Sequence, residues 1–406
     1  MYLKNNYFKK RYNIFLTIFL VGILSRSIVA YFYGDRFLEN EWAILVENLY
    51  KHNHFSLIRF DELFLPNLWM PPIYGYFVYI HALIFGYNEN LANFVNFTQI
   101  ILSSLTPIIF LQIISNFFSE RLSLFGAYIF SLFPLIIYSS SQISSVTIYL
   151  FLLLSFIYLI INLSNKNSFK IYLLIGILSG ILLLTRRDFI LILIFSLLYL
   201  FFFLKIDFKK IACIFLVSLL TISPYLIRNF LAFDRIIIHS GLGYNAWKAY
   251  NPNAKVEGYY KPSKELKIKL NKINKDIYYR INEDKVYLNQ AKTYILEDPH
   301  KYIKLFFKRL FSFYFYDYES SQKNYFSAFH LVPNLMIATL SIAGLLFFKR
   351  KADLKYFYLI LVMIIILIVY SSFALLPRYK IYLLPFQILL CLNILEYLYS
   401  KFIKKN

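Results

Sequence analysis

Long apolar blocks separated by short polar breaks dominate the hydropathy pattern of this chain. Most blocks approach the length of about 20 residues that a helix needs to cross a hydrocarbon core of about 30 Å. The first block follows a basic stretch, but it is too long for a removed signal sequence and lacks a small-residue cleavage site, so it predicts a retained span. The candidate segments are 12–32, 71–87, 95–115, 122–139, 144–163, 170–185, 189–204, 210–230, 329–348, 356–375 and 381–400.

Lysine and arginine in the short loops set the predicted orientation, because such loops favour the inner side of a membrane. With the N-terminus inside, the loops at Lys166, 205–210 and 349–355 and the basic tail are also expected inside. Crossing by all five segments before Lys166 would place that loop outside. The weakest of the five is 71–87, whose two prolines and many aromatic residues suit an interfacial or re-entrant piece. We therefore predict ten spans with both termini inside.

This topology divides the chain into an N-terminal membrane module with a first outer loop, a long outer segment, and C-terminal membrane helices: 1–230 with loop 33–94, 231–328, and 329–406. Three shorter outer turns are expected at 140–143, 186–188 and 376–380. In the first loop, Trp42, Leu45, Val46 and Leu49 recur with helical spacing and predict a short helix lying on the membrane. Pro299 begins a basic amphipathic helix that is expected at the interface. No strand alternation is found, so the predicted class is all-α and polytopic.

Composition agrees with a membrane protein and excludes a nucleic-acid-binding function. The net charge of +21 lies largely in loops and tails, while 59% of residues are hydrophobic and 16% charged. Cys213 and Cys391 fall inside predicted spans, so neither a disulfide framework nor a Cys-x-x-Cys site is indicated. The six histidines are scattered and predict no metal site. Membrane lipids are the expected surroundings.

Acidic residues cluster immediately after the first span. Glu39 precedes the short helix that would hold it at the membrane surface, and Glu41 is its neighbour. A carboxylate fixed there can accept a proton from an incoming hydroxyl, or hold a divalent cation against a phosphate, although solvated surface charge is the commoner interpretation. Arg26, near the outer end of the first span, either extends to the headgroups or pairs with a carboxylate such as Glu39.

Arginines recur where the spans meet the same outer face. Arg186 and Arg187 stand in LTRRD, Arg228 stands in SPYLIRNF, and Arg378 and Lys380 stand in LPRYKIYLLP. One such residue is usually an interfacial anchor. Three clusters on one face predict an anion site, because guanidinium groups match the oxygens of a phosphate.

Taken in order, these motifs resemble the bacterial GT-C glycosyltransferases that use polyprenyl-phosphate sugars, the relatives of protein mannosyltransferases and of the aminoarabinose transferase of lipid A. That family begins with an arginine in the first span, an acid before an aromatic residue, and an A-x-N-L-like helix, matched here by Arg26, Glu39, Trp42 and VENL at 46–49. Later matches are PPIYGY at 71–76, LTRRD at 184–188, PYLIRNF at 224–230, GYN at 243–245, NPNA at 251–254 and RYKIYLLP at 378–385. Each match is weak alone, and their order is the specific signal.

The resemblance implies a GT-C-type bundle with outer-face juxtamembrane helices in the plasma membrane. It implies an outward-facing active site, a polyprenyl-phosphate-linked sugar donor, and a lipid, glycan or protein acceptor. It places the catalytic acid at Glu39, with Glu41 beside it. The predicted ligands of the donor phosphate, followed by the supporting residues, are Arg378, Arg228, Arg186, Arg187 and Lys380, then Arg26 and Tyr379.

One departure from the family pattern concerns a second acid. Many relatives carry an acid where this chain has SSVTIY at 144–149. The second catalytic role and a metal site are therefore open, so no cofactor is assigned and a divalent cation is neither required nor excluded.

Two other functions compete with sugar transfer. A transporter or flippase of lipid-linked sugars should show internal repeats and charged helices near the midplane, whereas the charges here gather at one face. A glycan polymerase or ligase of the other GT-C branch should carry a basic loop late in the chain and need no acid after the first span. The latter is the alternative enzyme.

Overall fold

The computed structural model describes residues 2–163, 168–322, 325, 327–346 and 353–402. Lys166, the basic residues at 349–351 and the lysines at 404 and 405, on which part of the predicted orientation rests, lie outside the described residues. The helices are α1 Tyr2–Tyr33, α2 Asn40–His52, α3 Pro72–Phe85, α4 Leu91–Ile114, α5 Glu120–Ser131, α6 Pro134–Ser140, α7 Val146–Asn162, α8 Phe169–Thr185, α9 Phe189–Phe202, α10 Phe208–Phe233, α11 Leu242–Tyr250, α12 Lys264–Asn271, α13 Tyr279–Glu297, α14 Pro299–Tyr314, α15 Ala328–Leu346, α16 Leu354–Ser371 and α17 Leu384–Phe402, with a 3-10 helix at Pro377–Tyr382.

All eleven predicted apolar segments are helical in the described chain. Five of these helices are long and apolar enough to cross a membrane by themselves, in α1, α4, α10, α15 and α16. Helices α5 and α6 together form a sixth candidate, bent by 50° at the break before Pro134, where a proline cannot continue the preceding helix. The all-α, multi-pass class is confirmed, and the number of ten crossings stays a prediction.

Helix α3 corresponds to the segment that is predicted not to cross. It has 14 residues and is therefore about 21 Å long, shorter than the hydrocarbon core. Helix α9, which is predicted to cross, also has 14 residues, so helix length does not separate the two.

Labelling of single cysteines can test the predicted topology. With ten spans, Asn90→Cys should react with an impermeant thiol reagent applied from outside, because the 33–94 loop faces outward. Ser168→Cys should react only after the membrane is opened. Labelling of Ser168→Cys from outside, without labelling of Asn90→Cys, would show that α3 crosses after all.

The five segments predicted to lie outside meet at one end of the helix bundle, here called the site end. Backbone or side-chain contacts join them in pairs: Asp35 with Ser141, Leu68 with Ser240, Arg187 with Gly241, and Arg186 with Tyr379. The predicted topology placed these five segments on one face of the membrane. Their convergence at one end of the bundle agrees with that prediction.

Close helix packing holds the spans beneath the site end. Helix α8 presents Gly176 and Gly180 to α10, and a Cβ at Gly176 would lie only 2.7 Å from the Cβ of Val217. Small residues at such positions let helix backbones approach, which is the main source of association between helices in lipid. The turn that follows α8 is thereby fixed against the start of the long outer segment.

The first outer loop contains a β-hairpin that the sequence analysis did not predict. Strand β1, Ser56–Phe60, pairs antiparallel with β2, Leu63–Pro66, through a turn in which Asp61 has a φ of +48°. The strands are only five and four residues long. Their turn also lacks the Asn-Gly or Asp-Gly pair by which a hairpin is most readily recognised.

Helix α2 has the predicted boundaries but a different partner. Its apolar residues Trp42, Leu45 and Val46 are buried against Tyr74 and Val78 of α3. The apolar face of α2 therefore packs on α3, and the expectation that α2 lies at the membrane surface stays a prediction.

Helix α14 has the predicted start and the predicted amphipathic character. Its outer face exposes Ile303, Phe307 and Phe311 at 55–59% of their surface, as expected for a helix at a lipid interface. Its inner face buries Arg309, which donates hydrogen bonds to the carbonyl groups of Ala249, Lys255 and Val256. Arg309 thus joins two parts of the long outer segment, and α14 also packs against α16 of the bundle.

Candidate active site

Arg186, in the turn between α8 and α9, lies inside a cage of tyrosine rings. Its guanidinium carbon is 4.8–5.5 Å from the ring centroids of Tyr149, Tyr370, Tyr379 and Tyr382. Its Nε donates to both carboxylate oxygens of Asp188, at 3.1 and 3.3 Å. These contacts bring helices α7 and α16 and the 3-10 helix to one point. Arg186 therefore holds Tyr379 in place as well as carrying charge.

Tyr379 lies among three positive charges at the site end. Burial raises the pKa of its phenol, but the charges of Arg186, Arg378 and Lys248 and a hydrogen bond from Arg186 outweigh burial, so that this pKa is lowered from its ordinary value. A guanidinium can only donate hydrogen bonds, so the Tyr379 oxygen accepts from it and its own proton is available to another acceptor. Positive charges and a free phenolic proton at one place suit the binding of an anionic oxygen.

Arg378 and Lys248 complete this positive cluster. The Nε of Arg378 is buried and has no hydrogen-bond partner within the described part of the chain. Lys248, in α11, has a lowered pKa, because it is buried and because Arg378, Arg309 and Arg187 lie near it. A phosphate would relieve the repulsion between these cations and satisfy the free donor. We call Arg186, Lys248, Arg378 and Tyr379 the anion cluster.

An apolar pocket lies directly beside the anion cluster. Leu376, Pro377 and Lys380, which lie close to Arg378 in the chain, line this pocket. The other lining residues are Leu135, Ser312, Phe313, Phe315, Tyr316, Asp317, Tyr325, Asn334 and Leu375. The cavity is small, about 30 Å³, so it marks an apolar surface next to the anion cluster rather than a channel for a lipid chain.

Two of the predicted phosphate ligands, Arg228 and Lys380, have other contacts. Arg228 donates to the carbonyl oxygens of Asn67 at 2.9 Å and Phe55 at 3.3 Å, and so holds the hairpin loop on α10. Lys380 is buried and donates to the carbonyl of Phe313 at 2.8 Å and to that of Tyr314, at the end of α14, where a positive charge is favoured. These contacts favour a positioning role for both residues.

Arg26 is buried within the bundle rather than at the headgroups. It donates to Ser103 Oγ at 2.7 Å and to the carbonyls of Gly22 at 3.2 Å and Ser131 at 3.0 Å. Arg26 therefore links α1, α4 and α5, in place of the alternative in which it pairs with Glu39.

Arg187 points away from the tyrosine cage. Its Nη2 donates to the carbonyl of Gly241 at 3.2 Å, and burial lowers the pKa of its guanidinium. His239 lies near enough for the charge of Arg187 to add to the effect of burial, and the two together lower the pKa of the imidazole to about 3. Arg186 and Arg187 therefore belong to two adjacent groups of residues.

The first-loop acids differ in how firmly they are held. Glu39 is exposed at the N-terminus of α2, where its side chain makes no capping hydrogen bond, and Glu41 is exposed in the first turn. Asp35 is half-buried, and its Oδ2 accepts the backbone N–H of Ile143 at 2.7 Å. Burial, with a smaller contribution from the charge of Glu39, raises the pKa of Asp35, while the hydrogen bond opposes this.

Asp35 is also the first-loop acid that lies towards the anion cluster. Tyr325 is within electrostatic range of both Asp35 and Arg378. Glu41, by contrast, lies within range of Tyr244 in α11. The structure therefore adds Asp35 to the predicted acids. Among the described residues, no group of three or more His, Cys, Asp or Glu side chains is arranged to hold a metal ion.

Sequence reasoning missed Lys248 and His239 as well as Asp35. Lys248 lies between the GYN and NPNA motifs, so its position could have marked it as a site residue. The long outer segment is rich in lysine, however, and no sequence feature distinguishes Lys248 from the others. His239 just precedes the GYN motif, and a lone histidine in a loop predicts little. Asp35 is one of several acids after the first span, and only the contact with Ile143 distinguishes it.

Comparison with known proteins identifies the fold. A family model described as dolichyl-phosphate-mannose-protein mannosyltransferase matches residues 70–227. The oligosaccharyltransferase of Archaeoglobus fulgidus in its apo form aligns with a TM-score of 0.58 at 14% identity, over 97% of this chain and 51% of that one. ArnT from Cupriavidus metallidurans bound to undecaprenyl phosphate aligns with a TM-score of 0.56 at 12% identity, over 98% of this chain and 62% of that one. No curated protein sequence is significantly similar to this chain.

These matches define the class of protein: the chain is a multi-pass membrane protein with the GT-C glycosyltransferase fold. The resemblance predicted from the ordered motifs is thereby confirmed. A third matching structure, AglB from A. fulgidus in complex with an inhibitory peptide and a dolichol-phosphate, aligns with a TM-score of 0.56 at 13% identity, over 97% of this chain and 51% of that one. The chain spans about half the length of the archaeal enzyme.

Proposed function

We propose that this protein transfers a sugar from a polyprenyl-phosphate carrier to an acceptor at the outer face of the plasma membrane. The observation that carries the proposal is the anion cluster beside an apolar pocket, at the end of the bundle where the outer segments meet. The GT-C fold and the neighbours solved with undecaprenyl phosphate and with a dolichol-phosphate support it.

The proposed reaction is a direct displacement at the anomeric carbon. An acceptor hydroxyl attacks that carbon, the bond between the carbon and the phosphate oxygen breaks, and the polyprenyl phosphate leaves with the electron pair. Glu39, with Asp35 beside it, takes the proton of the acceptor. Arg378, Lys248 and Tyr379 stabilise the charge on the leaving phosphate, in a buried site where such contacts are worth more than in water.

The location of charge favours an enzyme over a flippase. Arg186, Lys248 and Arg378 gather at the site end, and the buried Arg26 donates to serine and carbonyl groups within the bundle. A flippase would have to pass the charged headgroup through the membrane interior, where polar groups along the path are expected.

Transfer by the purified protein tests the proposal. Undecaprenyl phosphate carrying a radiolabelled sugar, drawn from a panel of hexoses and aminoarabinose, would be incubated with lipid, glycan and peptide acceptors. Label should move to one acceptor as undecaprenyl phosphate is released, and Arg378→Ala should abolish this at equal protein levels. Label that crosses a proteoliposome membrane while still attached to the lipid would instead support the flippase.

A further inference from the structure

A second group of polar atoms lies beside the anion cluster and is not used by the proposed displacement. Both ring nitrogens of His239 and the hydroxyl of Ser240 are buried, and none of these atoms has a hydrogen-bond partner in the part of the chain that the structure describes. A buried polar group without a partner is unfavourable, because it has lost its hydrogen bonds to water and gained none in return. Three such atoms on consecutive residues point to a ligand that supplies the missing hydrogen bonds.

The surroundings of His239 combine aromatic rings with polar groups. Trp69 and Tyr244, both partly exposed, lie with ring centroids 4.9 Å apart. Gly241 has a φ of +112°, and a Cβ there would lie 3.2 Å from the Trp69 ring and 3.6 Å from Arg187 Nη1. The absence of a side chain thus lets this loop approach both groups. Rings that are apolar on the face and polar at the edge, next to hydrogen-bonding groups, suit a sugar.

The buried charges around this group are paired within the protein, and the exposed Glu41 lies within electrostatic range of Tyr244. Arg280, whose guanidinium carbon lies 5.1 Å from the Trp69 ring, forms a 2.6 Å ion pair with Glu283. Asp284 lies within electrostatic range of Arg187. His239 stays neutral, since burial and Arg187 lower its pKa to about 3. A neutral imidazole offers one donor and one acceptor, which matches a hydroxyl group better than it matches an ion.

The position of the group also fits a lipid-linked donor. Arg186 belongs to the anion cluster, while the next residue, Arg187, contacts Gly241 beside His239. In a polyprenyl-phosphate sugar, the sugar is bonded directly to the phosphate. Its ring must therefore lie immediately next to the phosphate site.

We propose that Trp69, Arg187, His239, Ser240 and Tyr244 form the subsite for the sugar of the donor, and that this sugar is uncharged. The inference rests on the proposed function, because it takes the anion cluster as the phosphate site. We call these five residues the His239 subsite.

Equilibrium binding to the purified full-length chain tests the inference. The probes are undecaprenyl phosphate and the same lipid bearing glucose, mannose, galactose or aminoarabinose. In the wild type, one of the uncharged sugars should add affinity over the bare lipid. His239→Leu and Ser240→Ala should each reduce that added affinity by about tenfold, the effect of losing a buried hydrogen bond, and leave the affinity for the bare lipid unchanged.

A matched control separates binding from folding. His81 is also buried, but its ring nitrogens are bonded to the Phe77 carbonyl and to Thr98, so His81→Leu should leave both affinities unchanged while lowering the unfolding temperature. His239→Leu should not lower the unfolding temperature, because it removes no hydrogen bond within the described structure.

Several results would overturn the inference. They are the absence of any added affinity from the sugars, a preference for aminoarabinose, or full retention of the added affinity in both His239→Leu and Ser240→Ala. Binding of the bare lipid that depends on Arg378 would leave the proposed function standing in each of these cases. Failure of the wild type to bind even the bare lipid would remove the proposed function itself.

Discussion

Replacing Arg378 by lysine is expected to weaken the binding of undecaprenyl phosphate by about 10- to 100-fold, the range that corresponds to losing a hydrogen bond to a charged group. Arg378 is part of the anion cluster, and its Nε is free to donate. Lysine keeps the positive charge but loses the planar pair of donors that matches two phosphate oxygens. The affinity would be measured by titrating the detergent-purified protein with the lipid.

Arg228→Lys is the matched control for this change. The sequence analysis assigned both arginines to the donor phosphate, but the guanidinium of Arg228 donates to the carbonyls of Phe55 and Asn67. Its replacement should therefore lower the unfolding temperature and leave the affinity for the lipid near the wild-type value. If Arg378→Lys binds as well as the wild type, the anion-site hypothesis is lost. A loss of lipid affinity in Arg228→Lys alone would indicate that the phosphate binds at the hairpin loop instead.

The membrane class, the positions of the apolar helices and the meeting of the outer segments could be predicted from the sequence. Long apolar blocks have few alternatives to a buried helix, because an unpaired backbone group is costly in lipid. The charge asymmetry of the loops then assigns a side to each connection. Helix α2 was predicted from its spacing, but the spacing could not say whether Trp42 packs on lipid or on α3, since both are apolar.

Contacts between distant segments could not be predicted in the same way. The tyrosine cage of Arg186 joins residues that are separated by more than two hundred positions in the chain, such as Tyr149 and Tyr382. Likewise, RYKIYLLP places Arg378 and Lys380 two residues apart, but in a 3-10 helix they point to different partners, and Lys380 binds the end of α14. A sequence motif gives the residue types of a site, but it does not determine in which direction each side chain points.

Loss of the first-loop acid is expected to lower turnover strongly. Glu39→Gln keeps the shape of the side chain and removes the proton acceptor, so turnover should fall by about 10²–10⁴-fold, the usual contribution of positioned proton transfer. Glu41→Gln should have a much smaller effect, because Glu41 lies in the first turn of α2 within range of Tyr244, whereas Glu39 precedes the helix and lies near Asp35. Turnover would be compared at matched expression in Asp35→Asn, Glu39→Gln and Glu41→Gln.

The dependence of kcat/KM on pH distinguishes the two acids. Burial and the charge of Glu39 raise the pKa of Asp35, so a reaction that needs the Asp35 carboxylate loses rate, as pH falls, at a higher pH than an ordinary aspartate would allow. Removing the charge of Glu39 lowers the pKa of Asp35 and should shift this acid limb to lower pH in Glu39→Gln. A dead Asp35→Asn beside an active Glu39→Gln that shows this shift would make Asp35 the proton acceptor. Full activity in all three variants would mean that no acid of the first loop takes part in the reaction.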